Sequence, residues 1–135
     1  MEGPADITII AISAARLNAR IAVEQLAREG IRCHLVHAVW LKPFLLKDSL
    51  RTSLNETQLG LVVDSDFEVA AAGRSIAYEL MHESGHPVHA LGLEDRSAGF
   101  AARHDNGTPT SDQIVERVRQ AVRQPERKTS AINWE

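Results

Sequence analysis

Asp64 is the first residue whose type and position suggest chemistry. It ends an apolar run at residues 59–64, LGLVVD, and an alanine-rich segment with helical periodicity follows it. In α/β proteins, ligands commonly bind where a strand ends and the next helix begins. Residues 64–73 are therefore a candidate ligand-binding loop.

Phosphorylation of Asp64 is one chemistry to test. Response-regulator receivers resemble this chain in size and element order, and they are phosphorylated on an aspartate that ends the third strand. A receiver also needs an acidic pair after the first strand to hold magnesium. Here those positions read Ile12-Ser13-Ala14, which offer the ion no carboxylate. The sequence therefore argues against a receiver.

Nucleotide binding and acyl transfer also lack their motifs. A dinucleotide fold needs glycines directly after the first strand, whereas this chain has Ser13-Ala14-Ala15-Arg16, and it has no P-loop pattern. The segment 73–77, GRSIA, lacks the second glycine of a nucleophile elbow and lies in a helical pattern. We predict no catalytic residue in this chain.

Histidines and the single cysteine could bind a metal or act as nucleophiles. His82 and His86 have helical i, i+4 spacing, but Gly85 and Pro87 break the helix. Cys33 alternates with apolar neighbours in a predicted strand, which favours a packed thiol. We predict no metal site.

Composition limits the classes of protein that fit. A length of 135 residues suits one domain, and a net charge of −3 argues against nucleic-acid binding. One cysteine and the lack of a signal-peptide pattern predict a cytoplasmic protein. No apolar run approaches the ~20 residues needed to cross a membrane.

Strands and helices alternate along the chain. Strands are predicted at 7–12, 31–39, 59–64 and 88–93. The first helix follows an N-cap at Ser13 and ends at Gly30, and the second opens at Pro43 and continues through Leu46, Leu50 and Leu54. The third helix has one face formed by Val69, Gly73, Ile76, Ala77 and Leu80.

A fourth helix closes the domain. Thr110 and Gln113 have the spacing of a capping box, and an apolar stripe follows them. Residues 94–109 read mostly as loop, with a short edge strand or a turn of helix left open. The fold class is α/β, a three-layer α/β/α sandwich with a mostly parallel sheet of about five strands. Residues 1–124 form the domain, and residues 125–135 form a tail for which docking and disorder both stay open.

Three segments carry a family resemblance: DITIIAIS, AREGIRCHLVHAVWLKPF, and SLNETQLGLVVDSDFEVAAAGRSIAYEL. Together they resemble the C-terminal domain of the transketolase family of thiamine-diphosphate enzymes, particularly the beta subunits of 2-oxo acid dehydrogenase decarboxylase components. The last segment has the family's acidic strand end, aromatic residue and small-residue helix start at Asp64, Phe67 and 70–73. It departs from the family in Ser65, where a second acid is common, and in Ala70-Ala71, where glycines are common.

The resemblance implies a role in assembly. In that family, thiamine diphosphate and magnesium lie between two other domains, whose signatures are missing here, and the C-terminal domain supports dimerisation and partner docking. The chain alone should therefore bind no cofactor. It fits a non-catalytic domain or split subunit that associates with thiamine-diphosphate-binding subunits and forms a homodimer. We predict an interface at Asp64, Ser65, Phe67, Glu68 and Arg74.

Two other functions remain open. The chain could be a free-standing small-molecule or regulatory binding module, in which case a ligand should lie near Asp64, Ser65 and Phe67. It could also be an independent enzyme, which we rank last because no catalytic constellation was found. The residues do not identify the 2-oxo acid, or the acceptor if a two-carbon unit is transferred.

Overall fold

The computed structural model describes residues 4–42, 44, 47–100 and 105–123. Four strands are formed: β1 (Ile7–Ile12), β2 (Cys33–Ala38), β3 (Gly60–Phe67) and β4 (Val88–Leu93). Four helices alternate with them: α1 (Ala15–Arg28), α2 (Asp48–Thr57), α3 (Ala72–Ser84) and α4 (Ser111–Arg123). The predicted tail at 125–135 lies outside the described residues.

The strands form one parallel sheet in the order β2-β1-β3-β4. The predicted α/β class is confirmed, with four strands in the described residues rather than about five. Residues 94–100 and 105–110, where an edge strand or a helical turn was left open, contain neither. Because all four strands are parallel, their carboxyl ends meet at one edge of the sheet.

Two cores cover the two faces of the sheet, as expected for parallel strands that are buried on both sides. Residues of β1 and β3 pack on one face against the apolar stripes of α1 and α4. On the other face, the alternate residues of the same strands pack against α2 and α3. The buried stripe of α1 is formed by Ala15, Ala19, Ala22 and Leu26, as the sequence predicts.

Several boundaries differ from the prediction. Ser13 has a φ of +54° and makes no N-cap, because α1 begins at Ala15 without a side-chain cap. α2 begins at Asp48, while the predicted helix start at Pro43 and the predicted position Leu46 lie outside the described residues. Val69 was placed on the buried face of the third helix, but it precedes α3 and is 56% exposed.

Local hydrogen bonds fix the helix ends. Gly85 ends α3 with a φ of +72°, a conformation that glycine adopts without steric cost. At the start of α4, the Thr110 N–H donates to Gln113 Oε1 (2.9 Å) and the Gln113 N–H donates to Thr110 Oγ1 (3.2 Å). The predicted capping box is therefore confirmed.

Side chains fasten α4 to α1 at both ends. Asn18 donates to the carbonyl of Pro109 (2.9 Å), and Arg119 forms a two-pronged ion pair with Glu29 (3.0 and 2.7 Å). The hydrogen bonds from Arg119 hold the pKa of Glu29 below its usual value. Two helices far apart in sequence are thereby held side by side.

Candidate assembly interface at the carboxyl edge of the sheet

Asp64 ends the buried part of β3 and is itself only 5% exposed. Its Oδ2 accepts a hydrogen bond from the Gly73 N–H (2.9 Å), and its Oδ1 accepts one from the Asp66 N–H (3.2 Å). The residue before α3 is Ala71, which has no side chain to cap the helix. Asp64 therefore supplies the missing cap from the neighbouring strand, where its negative charge also suits the helix dipole.

Gly73 makes this contact between strand and helix possible. A β-carbon at Gly73 would lie 3.0 Å from Cβ and 3.2 Å from Oδ2 of Asp64. Separations this short would force the carboxylate away from the helix N-terminus. Asp64 and Gly73 therefore form one structural unit, and both carboxylate oxygens already bind backbone N–H groups.

β3 is irregular between Val63 and Phe67. Val63 pairs with Leu91 and Phe67 pairs with Leu93, so four steps along β3 match two steps along β4. The extra residues form a bulge, in which the Phe67 N–H donates to the Asp66 carboxylate (2.7 Å). Phe67 lies at the end of this bulge and is 41% exposed.

Glu68 ties the bulge to β4 and to two helices. Its N–H donates to the Leu93 carbonyl (3.0 Å), and its carboxylate accepts from the Gly92 N–H (3.4 Å). The same carboxylate forms ion pairs with Arg74 (3.5 Å) and Arg117 (3.9 Å). Arg117 also donates to the carbonyl of Ala90 (3.1 Å), so α4 is joined to β4 here.

Gly92 allows the bulge and β4 to approach each other closely. A β-carbon at this position would lie 2.6 Å from the carbonyl oxygen of Asp66 and 2.7 Å from the nitrogen of Glu68. Both atoms belong to the backbone and cannot move aside as a flexible side chain could. Any larger residue at position 92 would therefore disturb the turn.

The five predicted interface residues lie between the end of β3 and the first turn of α3. Phe67 and Arg74 are exposed, Ser65 and Glu68 are partly exposed, and Asp64 is buried. The two exposed side chains can contact a partner directly. Asp64 and Glu68 instead fix the shape of the turn through hydrogen bonds and ion pairs.

Sequence reasoning missed a larger apolar surface at the same edge. We call the segments that follow the strands, 13–17, 39–42, 65–71 and 94–100, the carboxyl edge. Its exposed large apolar residues are Leu17, Val39, Trp40, Leu41, Phe67, Val69 and Phe100. The sequence signal that could have indicated this surface is the apolar triplet 39–41, which directly follows the last residue of β2. Exposed apolar groups concentrated in one region are typical of an interaction surface.

Two cavities open near the carboxyl end of β2. One, of about 500 Å³, lies between the turn after β1 and the residues after β2, and Ser13, Arg16 and Leu17 line it. The other, of about 460 Å³, lies between β2 and the start of α2, and Val36, Trp40 and Phe44 are among its lining residues. Both cavities extend the apolar character of this part of the carboxyl edge.

A chain of buried hydroxyl groups beneath α2 was also missed. Thr8 Oγ1 lies 2.7 Å from Ser53 Oγ and 2.9 Å from Thr57 Oγ1, and Ser53 Oγ lies 2.7 Å from His34 Nδ1. The Thr57 hydroxyl donates to backbone carbonyls. Each hydroxyl has one proton, so Thr8 donates to Thr57, Ser53 donates to Thr8, and His34 Nδ1–H donates to Ser53.

This chain of donors is not a hydrolase triad, although His34 Nε2 lies 3.7 Å from Glu56 Oε1. A nucleophilic serine must give its proton to histidine, whereas Ser53 receives one. Ser53 is also only 7% exposed, so a substrate could not reach it. The hydroxyl chain therefore stabilises the packing of α2 on the sheet.

Residues 2–114 match the family model described as "Transketolase, C-terminal domain". The chain belongs to the transketolase C-terminal domain family. The predicted resemblance is therefore confirmed for most of the sequence. No curated protein sequence gives a significant match.

A solved structure also has the fold of this transketolase C-terminal domain. It is described as "Split gene transketolase, inactive beta4 tetramer", and it aligns with a TM-score of 0.72 and 23% sequence identity. The alignment covers 90% of this chain and 40% of the other. The chain thus spans less than half the length of that structure, and at this identity the likeness shows the fold alone.

The described residues of this transketolase C-terminal domain contain no clustered set of acidic, histidine or cysteine ligands for magnesium. Magnesium needs several oxygen ligands, but no group of three or more His, Cys, Asp or Glu side chains within residues 4–42, 44, 47–100 and 105–123 could hold a metal. Asp64, the buried carboxylate at the strand ends, already binds two backbone N–H groups. Within the same residues, every helix is too short or too polar to cross a bilayer.

Cys33 is also unsuited to catalysis. Burial, together with the nearby Asp6 carboxylate, raises the pKa of its thiol from 9.0 to about 12. A nucleophilic cysteine needs the opposite shift, because the thiolate is the reactive form. The thiol therefore packs against the α1–α4 core as an apolar group.

Proposed function

We propose that this chain is a non-catalytic assembly domain or subunit of a thiamine-diphosphate-dependent enzyme of the transketolase or 2-oxo acid dehydrogenase type. Family membership supports the enzyme class, and the exposed apolar carboxyl edge is the observation that carries the assembly role. Thiamine diphosphate and magnesium are bound by other subunits or domains of the enzyme. The protein is cytoplasmic, as its lone cysteine suggests.

The segment from the end of β3 to the start of α3, residues 64–74, supplies part of the contact. Phe67 offers an apolar surface and Arg74 a cation, while Asp64, Ser65 and Glu68 keep the turn in position. The turn is held by backbone hydrogen bonds and ion pairs on several sides, so its exposed side chains are presented in a fixed arrangement. Such preorganisation lowers the entropy lost on binding.

Co-purification with the thiamine-diphosphate-binding subunits of the same enzyme tests the proposal. We expect the chain to elute with them and to increase their turnover. Phe67→Ala and Arg74→Glu should each weaken the complex by about tenfold or more, because hot-spot residues dominate interface energies. Arg28→Glu is the control for the charge reversal, because Arg28 is exposed in the last turn of α1, at the end of that helix away from the carboxyl edge. If the chain neither elutes with these subunits nor changes their turnover, it has another role.

The same turn argues against a free-standing ligand-binding module. A ligand at Asp64 would have to replace the hydrogen bonds that cap α3. Removing them would leave the Gly73 N–H without its partner in a buried setting. The assembly role needs no such rearrangement.

A further inference from the structure

A groove between α1 and the edge strand β2 contains two arginines and a histidine. Two cavities, of about 450 and 500 Å³, open where the start of α1 passes over the end of β2. Arg16 and His37 line both cavities, and Arg20 lines the smaller one. The volumes are in the range of small-molecule binding sites. Because β2 lies at the edge of the sheet, the groove is open on one side.

The periods of the helix and the strand bring these three side chains together. Arg16, Arg20 and Val23 are spaced by four and three residues, so they lie in one row along α1. Val23 packs against the core beneath α1, and Leu35 of β2 packs against the same core. His37 is two residues beyond Leu35 and therefore lies on the same face of the sheet.

The charges inside the groove are not balanced. Among the described residues that line the two cavities, none is acidic. Within the described part of the chain, the side chains of Arg16 and His37 have no hydrogen-bond or ion-pair partner. The groove thus offers donors that no group of the protein uses.

The charges around the groove leave this excess in place. Arg20 has one ion-pair partner, Glu24, at 4.0 Å on the next turn of α1, and both side chains are exposed. Lys42, after the end of β2, adds a further exposed cation. At the start of α2, Lys47 and Asp48 are consecutive and offset each other.

The two arginines do not stabilise the helix that carries them. Like charges four residues apart on a helix repel each other, as Arg16 and Arg20 do. Arg16 also lies in the first turn of α1, where a cation opposes the helix dipole. An anion bound between the two guanidinium groups would remove the repulsion, so their placement favours a role in binding.

Phosphate suits this set of donors better than a carboxylate does. A guanidinium group binds phosphate oxygens in pairs, and an imidazole adds a further N–H donor. A phosphate monoester has three terminal oxygens and nearly two negative charges, so it can accept from three side chains at once. Leu17, Ile21 and Val39 are exposed on the walls of the cavities, and they favour a ligand whose remaining part is apolar.

We propose that the groove between α1 and β2 binds a phosphate monoester of a small molecule with an apolar body, and that Arg16, Arg20 and His37 hold the phosphate. β1 separates this site from the turn at Asp64, whose carboxylate already binds backbone N–H groups. The inference goes beyond the assembly role and does not depend on it, because binding is measured on this chain alone.

Calorimetric titration of the purified chain with phenyl phosphate tests the proposal. We expect phenyl phosphate to bind at least about tenfold more tightly than inorganic phosphate, because the ring adds apolar contact. Glycerol 3-phosphate, whose body is polar, should bind no more tightly than inorganic phosphate. Phenol, which lacks the phosphate, should not bind at the same concentrations.

Substitutions in the groove give a second test. Arg16→Gln and Arg20→Gln should each weaken the binding of phenyl phosphate by about tenfold, and His37→Ala should weaken it severalfold. Arg28→Gln is the matched control, because Arg28 is an exposed arginine in the last turn of α1 and lines neither cavity. Glu24→Gln removes the competing partner of Arg20 and should tighten binding by about twofold, an effect that a loss of folding cannot produce.

Four results would each overturn the inference. They are no saturable binding of phenyl phosphate at millimolar concentration, equal binding of phenol, equally tight binding of glycerol 3-phosphate, and unchanged affinity in both arginine variants. Thermal unfolding verifies that each variant is folded. The assembly role is judged separately by co-purification, so a failure of either proposal leaves the other standing.

Discussion

The carboxylate of Asp64 caps the helix that begins at Ala72, through a 2.9 Å hydrogen bond from the Gly73 N–H. The cap comes from the preceding strand rather than from the residue next to the helix. The contact therefore fixes the angle at which α3 leaves the sheet. It also holds the turn that contains Phe67, so stability and the proposed interface depend on the same side chain.

Replacing Asp64 should destabilise the domain. Asp64→Ala removes the acceptor of two backbone N–H groups, and we expect the free energy of unfolding to fall by about 1–3 kcal/mol. Urea unfolding followed by circular dichroism measures the change. Asp66→Asn is the control in the same turn, because Asp66 is exposed, and it should cost about 0.5 kcal/mol or less. Equal losses for the two variants would contradict the capping role.

Gly92→Ala should be more damaging than its small size suggests. The added methyl group would lie 2.6 Å from the Asp66 carbonyl oxygen, so the bulge must move. We expect a loss of about 2 kcal/mol or more. Gly107→Ala is the matched control, because its new β-carbon would meet nothing closer than 3.5 Å. A neutral Gly92→Ala in thermal unfolding would show that the bulge adapts easily.

The buried hydroxyl chain makes a separate prediction about α2. Ser53→Ala removes the hydroxyl that donates to Thr8 Oγ1 and leaves the His34 Nδ1–H without its acceptor, and we expect a loss of about 1–3 kcal/mol. Thr52→Ala changes the neighbouring exposed residue of the same helix and should be close to neutral. Chemical denaturation of both variants gives the comparison. Similar values for the two would mean that the chain of hydroxyls contributes little.

Cys33 should resist alkylation in the folded protein. Raising its pKa from 9.0 to about 12 lowers the thiolate fraction near pH 8 by about a thousandfold, before the effect of reduced access. Iodoacetamide labelling followed by mass spectrometry should show slow modification, and fast modification in urea is the control. Rapid labelling of the folded chain would contradict the raised pKa.

The same shift gives a pH dependence of stability. Folding favours the neutral thiol, so its contribution is fully present below pH 9. The contribution is lost as the pH rises from 9 towards 12. Cys33→Ala should therefore weaken the pH dependence of stability in this range.

Much of the fold follows from the sequence because its signals are local. The apolar run of β1 and the spaced alanines of α1 report burial directly through their periodicity. Thr110 and Gln113 satisfy each other within one turn, so their spacing alone predicts the start of α4. In each case, the residues that decide the structure are neighbours along the chain.

The errors occur where the deciding partner is distant in sequence. The start of α3 depends on Asp64, which lies nine residues before the Gly73 that it caps. Because periodicity does not reveal such a cap, Val69 was predicted to lie in the helix, although it lies in the turn before it. The bulge in β3 depends on Gly92, a residue of another strand. The hydroxyl chain joins Thr8 to residues more than 40 positions away, which no periodicity can reveal.

The candidate site was predicted only in part for the same reason. Phe67 was identified from a family pattern and Arg74 was predicted beside it, and both side chains are exposed, Phe67 at the end of β3 and Arg74 in the first turn of α3. The apolar residues 39–41 were not identified as a surface, because an apolar triplet after a strand can equally be its buried continuation. Only the sheet order shows that they share an edge with Phe67.

The pairing of α1 with α4 affects how the protein can form during synthesis. α1 ends at Arg28 and α4 begins at Ser111, yet both complete the same core over β1 and β3. Until α4 leaves the ribosome, Ile9, Leu26 and Leu61 lack their final cover. A nascent chain without α4 therefore exposes part of this apolar face, which favours aggregation until the last helix is made.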